Sequence, residues 1–129
     1  MKSRHHRLLR LQSVFDDLRK VSEREIVLAT AERNALLRQR SETAGALGKH
    51  EALRNLVIAT TVRRLAGISR RIIEIDDTIE KHRKKAADCF MKAKRAGKAA
   101  AELRQHQDII IARRELTELT ARASLRQGL

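Results

Sequence analysis

The chain contains no proline, no tryptophan and no tyrosine, and its only aromatic residues apart from histidine are 2 phenylalanines. Aromatic side chains supply much of the bulk in thick globular cores, so their scarcity argues against such a core. Average usage would place proline at about 5% of positions. Its complete absence favours long uninterrupted helices, because proline removes a ladder donor and clashes with the preceding turn. The single cysteine, Cys89, cannot close an internal disulfide. No run approaches the roughly 18 consecutive apolar residues of a membrane span. The basic start, MKSRHHRLLRLQSVFDDLRK, also lacks the apolar run of a signal peptide. A cytoplasmic protein is expected, with any membrane contact peripheral or made through a partner.

What is present is the set of strong helix formers: Ala, Leu, Arg, Glu, Lys and Gln. From Ile58 apolar residues alternate at spacings of three and four: Ile58, Thr61, Leu65, Ile68, Ile72, Ile75, Ile79, His82, Ala86, Cys89, Ala93, Ala96, Ala100, Leu103, Gln107, Ile110. This is a heptad seam interrupted by only three polar residues. It slips by one residue and resumes as Ile109, Ala112, Leu116, Leu119 and Ala123. Gly128 fits a helix stop. A second stripe is read in the N-terminal segment at Leu8, Leu11, Val14 or Phe15, Leu18, Val21 and Leu28, with Glu25 and Glu32 intruding.

A narrow stripe is not stable alone in water, so the two stripes are expected to pack on each other. Gly45 and Gly48, in RSETAGALGKHEAL, mark the expected reversal of the chain. The fold class is therefore all-α: two long helices in an antiparallel coiled-coil hairpin forming a single domain over residues 1–129. The expected bounds are a helix over about 4–44, a turn over about 45–49 and a helix over about 50–126. At 1.5 Å per residue the helices would run about 60 and 110 Å. Gly67, in RRLAGISRR, is the rival turn, although the seam passes through it in phase. Acid-before-base pairs four residues apart support the helices: Asp16 with Lys20, Asp77 with Lys81, Glu80 with Lys84, Asp88 with Lys92, and Glu118 with Arg122.

Catalytic signals are sparse. His82 and Cys89 share a face, but two ligands do not make a zinc site, and a seam cysteine reads as a small hydrophobe. Phosphate-binding glycine loops, nucleophile elbows and HExxH motifs are missing from the sequence. The reading is a protein that is not an enzyme and carries no metal or cofactor. Charge is the stronger signal: 29 basic against 16 acidic residues give a net +13. The excess gathers in KSRHHRLLR and between Lys81 and Lys98, where eight cations accompany Asp88 alone. Such a surface attracts nucleic acid, anionic lipid or an acidic protein. A basic zipper is excluded because the basic block lies inside the seam. Single-strand binding would want stacking aromatics. Nucleic acid is therefore not the expected physiological partner.

A basic two-helix coiled coil with leucines near its start, IEKHR at 79–83 and a terminal RRELTELTARASLR resembles the FliJ/YscO group, the stalk proteins of flagellar and virulence type III export ATPases. Members often carry an Asp-Glu pair, a small residue and an Arg near the C-terminus. Glu118 and Arg122 match in part, with Thr117 where an acid would stand. The resemblance implies a coiled coil seated in the pore of a hexameric export ATPase, linking it to the export gate protein at the inner membrane and escorting export chaperones. Ring contacts would fall on Arg4, Arg7, Arg10, Arg113, Arg114, Glu118, Arg122 and Arg126. Other partners would meet Lys84, Lys85, Lys92, Lys94, Arg95 and Lys98. The alternative is a free-standing basic coiled coil that binds nucleic acid or self-associates.

Overall fold

The computed structural model describes residues 2–47 and 54–128. Two helices account for nearly all of them: α1, Lys2–Ala46, and α2, Arg54–Gln127. The described residues include no strand, no cis peptide and no positive φ. The helices pack antiparallel as a hairpin, as expected from the two stripes. Gly45 still belongs to α1 and Leu47 is in a turn, while Gly48 and the rest of the expected reversal lie outside the described residues. Gly67 is inside α2, with open space where a Cβ would project. The rival turn is therefore absent. Hydroxyls of Thr43, Thr61, Thr78, Thr117 and Thr120 donate to the carbonyl four residues earlier, so each is satisfied within its own helix.

The chain divides into two compact units. One unit is Leu18–Asp88. Its core is the isoleucine part of the predicted seam, Ile68, Ile72, Ile75 and Ile79, all buried. Thr61, Leu65, His82 and Ala86 are half-buried on the same face. From α1 the seam is completed by buried Ser22 and half-buried Arg19, Ile26, Ala29, Arg33 and Leu36. Arg33 Nε donates to Asp76 Oδ1, and Arg71 Nη2 donates to Glu32 Oε1 at 2.9 Å. These two pairs cross between the antiparallel helices of the unit.

The second unit joins Met1–Asp17 to Cys89–Leu129. Here α2 contributes Cys89, Ala93, Ala96 and Ala100, all buried, and α1 contributes half-buried His5, Leu8, Gln12 and Phe15. The small residues face the large ones. His5 Nδ1 lies 3.1 Å from the Ala100 carbonyl oxygen, and the Gln12 side chain lies against Gly97.

The α2 seam follows its predicted positions from Thr61 to Ile110, while Ile58 and the resumed stripe from Ile109 are exposed; the α1 stripe departs from its predicted face. Leu8 and Phe15 face α2, whereas Leu11, Val14, Leu18, Val21 and Leu28 are exposed. From Gln12 onward the true α1 seam lies one residue later: Gln12, Phe15, Arg19, Ser22, Ile26, Ala29, Arg33. The physical reason is complementarity of volume. Close-packed interiors punish excess bulk as well as voids. Opposite an isoleucine row, small Ser22 and Ala29 fit. Arg19 and Arg33 can lie there too, because their apolar stems pack while their head groups reach polar partners. Counting hydrophobic residues in α1 alone selects the wrong face.

Candidate partner-binding surfaces

In the Leu18–Asp88 unit several exposed charges are paired with one another, beside exposed Val27, Leu28, Val62 and Ile73. Arg71 bridges Glu32 on α1 and Glu74 on its own helix, at 2.9 and 3.2 Å. Its pKa is held above the ordinary value, first by the hydrogen bond to Glu32 and next by that to Glu74. Lys81 pairs with Asp77 at 3.1 Å, the acid-before-base arrangement expected there. Lys84 and Lys85, assigned to other partners, are exposed on α2 at the end of this unit.

In the other unit, Arg4, Arg7 and Arg10 of α1 are exposed, as are Lys92, Lys94, Arg95 and Lys98 of α2. Neither Met1 to Phe15 nor Phe90 to Ala101 contains an Asp or Glu. The alanine seam brings the two basic segments onto neighbouring helices. At about 100° per residue, Lys98 points away from that seam, Lys94 and Arg95 stand well round the helix on either side, and Lys92 flanks it. Lys92 Nζ sits 5.6 Å from the centroid of the Phe15 ring, within cation–π range. Arg4 lines a shallow cleft with Leu8, Ala99, Glu102, Leu103 and His106. Cations gathered without local acids raise the potential and favour an acidic partner.

The remaining ring-contact residues are elsewhere on the unit. With His5 at the level of Ala100, α1 begins near the level of Leu103. Arg113 lies 13 residues beyond Ala100, about 20 Å along the helix. Arg113, Arg114, Glu118, Arg122 and Arg126 therefore stand on a stretch of α2 with no α1 beside it, and all are exposed. The eight residues assigned to one ring site occupy two separate surfaces. The three N-terminal arginines are neighbours of the α2 lysines.

Sequence reasoning missed the apolar content of these surfaces. Leu9, Leu11, Phe90 and Met91 are exposed among the cations, and Ile109, Leu116, Leu119 and Leu125 are exposed on the end of α2. The signal was available for the second group, since its stripe continues beyond the point where α1 can follow.

Among the described residues no three His, Cys, Asp or Glu side chains gather as a metal-binding set. A further cleft lined by Ser3, His6, Leu9, Arg10 and Ser13 lies along one helix and converges no reactive groups. No described helix is long and apolar enough to cross a membrane.

No protein-family model, curated protein or solved structure matches the chain.

Proposed function

We propose that the chain is a non-enzymatic stalk component of a type III secretion or flagellar export ATPase complex. In this reading the two arginine-bearing ends of the helices engage the hexameric ATPase. The lysine-rich part of α2 meets the export gate protein, and exposed helix faces receive export chaperones. The observation that carries the reading is the C-terminal stretch of α2, which continues past the start of α1 and bears Arg113, Arg114, Glu118, Arg122 and Arg126 on an uncovered helix. A stalk must offer side chains to a surrounding ring, and the charged residues of this stretch are exposed. Further support comes from the IEKHR and RRELTELTARASLR segments and from the excess of basic charge.

The test is a pull-down with the cognate export ATPase. Replacing Arg114, Arg122 and Arg126 by Glu is expected to leave helicity intact and weaken ATPase binding and stimulation. Raising salt should mimic the loss, because exposed charges are screened over about 8 to 10 Å. Replacing Lys84, Lys85, Lys92 and Lys94 should affect that contact less and weaken contacts with the gate. Equal binding by the arginine variant and the unmodified chain would remove the proposed ring site.

A further inference from the structure

The stretch of α2 from Asp108 to Gln127 poses a physical problem of its own. It is fully helical, yet every residue from Ile111 onward is exposed, including Leu116 at 63% and Leu119 at 60%. Helices draw most of their stability in water from packing an apolar face. Here that face exists without cover among the described residues: Ile109, Ala112, Leu116, Leu119 and Ala123 repeat at three and four. With Ile109 at a heptad a position, the flanking g and e positions fall on Asp108, Arg113, Glu115, Thr120, Arg122 and Gln127.

We propose that this stretch is a dimerisation helix, on which a second copy of the same chain packs in parallel and in register. The flank charges favour a second copy as the partner, and the core layers set the direction. In a parallel pair each g residue meets the e residue five positions later on the other strand. Asp108 then meets Arg113 of the other copy, twice by symmetry. Glu115 meets Thr120 and Arg122 meets Gln127, so no like charges oppose each other on the flanks. An antiparallel pair with a-to-d layers, Ile109 to Arg126, Ala112 to Ala123 and Leu116 to Leu119, also sets Glu115 against Arg122, but it lays a charged residue on Ile109, which the parallel pair sets against its own copy. The core layers would be Ile109, Ala112, Leu116, Leu119 and Ala123. Arg126 falls at the last core position, where the helix end lets its charge reach water. The inference does not require the stalk reading, and it concerns the chain alone.

Sedimentation equilibrium on the purified full chain, from low to high micromolar concentration, tests it. A reversible dimer is expected. Leu116→Glu with Leu119→Glu should raise its Kd by about a hundredfold or more, since removing a packed leucine costs about 2 to 5 kcal/mol and 1.4 kcal/mol is tenfold. Circular dichroism and thermal melting of that variant should retain the hairpin, whose buried residues lie elsewhere. Asp108→Arg or Arg113→Asp alone should weaken the dimer several-fold, and the two together should restore it. For direction, a spin label is placed at Ser124→Cys in a Cys89→Ala chain. The label pair is close in the parallel dimer, whereas in the antiparallel register the labels stand about 20 Å further apart along the axis. A chain that stays monomeric throughout, or a dimer indifferent to the leucine variants, overturns the proposal. Failure of the charge swap to restore pairing, or the long label distance, overturns the parallel arrangement. ATPase pull-down is a separate measurement, so loss of ring binding does not bear on this result.

Discussion

Gly67→Ala and Gly97→Ala form a matched pair in which the same chemical change meets two different surroundings. In a helix interior Ala is favoured over Gly by about 0.8 to 1.0 kcal/mol, because Gly has more backbone freedom to lose. At Gly67 nothing lies within 4 Å of the position a Cβ would take, and φ is negative. The full propensity gain should appear, stabilising the chain by about 0.5 to 1 kcal/mol. For a domain of this size that raises Tm by about 2 to 5 °C. At Gly97 a Cβ would stand 2.6 Å from Gln12 Nε2 and 3.1 Å from its Cδ. The Gln12 side chain must move, and its flexibility keeps the cost below that of a backbone clash. The net gain at Gly97 should therefore be smaller than at Gly67. Thermal and urea unfolding followed by circular dichroism at one fixed protein concentration measure both. A loss of stability at Gly67→Ala would refute its place inside a continuous helix. A gain at Gly97→Ala equal to that at Gly67→Ala would refute the Gln12 contact.

Ile75→Ala should destabilise by about 2 to 5 kcal/mol, since Ile75 is 3% exposed at the centre of its seam; Cys89→Ala should cost far less, both read by urea unfolding, and equal losses would deny the isoleucines their central part. Leu18→Ser and Ile26→Ser test the corrected α1 face: Leu18 is 40% exposed and should change stability by less than about 0.5 kcal/mol, whereas half-buried Ile26 should cost over 1 kcal/mol. The reverse order in thermal melts would reinstate the original stripe. Ser22→Leu should destabilise by about 1 to 3 kcal/mol through overpacking, because Ser22 is 2% exposed; a rise in urea midpoint would show spare room at that layer.

The helical class and the α2 seam were legible because one periodicity persists from Ile58 to Leu103 with few exceptions. The face of α1 was not. Leu11, Val14, Leu18 and Val21 make the more hydrophobic stripe, but the residues one position later make the better complement to isoleucine on one unit and to alanine on the other. Complementarity belongs to a pair of helices, and a single-segment reading weighs only one of them. Arg33 illustrates the difficulty: a charged residue reads as surface until Asp76 is known to receive it. The site residues were legible as types, since cations on exposed helix faces are easily recognised. Their grouping was not, because it depends on the register that sets His5 at Ala100 and leaves Arg113 beyond the start of α1.

The uneven seam also implies uneven lifetimes for its backbone hydrogen bonds. Each Ile in place of Ala buries about three more carbons, worth roughly 2 kcal/mol at about 0.8 kcal/mol per methylene. Ile68, Ile72, Ile75 and Ile79 hold one unit, while Cys89, Ala93, Ala96 and Ala100 line the other, where Leu8 and Phe15 supply the bulk from α1. Proteins open locally where buried apolar contact is thinnest. Amide protons around Ile72 to Ile79 should thus be the last to exchange with deuterium. Those between Ala93 and Ala100 should exchange earlier, and those beyond Ile111 first of all in dilute protein. The chain carries a gradient of opening, written in side-chain volume alone, that releases its basic end before its isoleucine core.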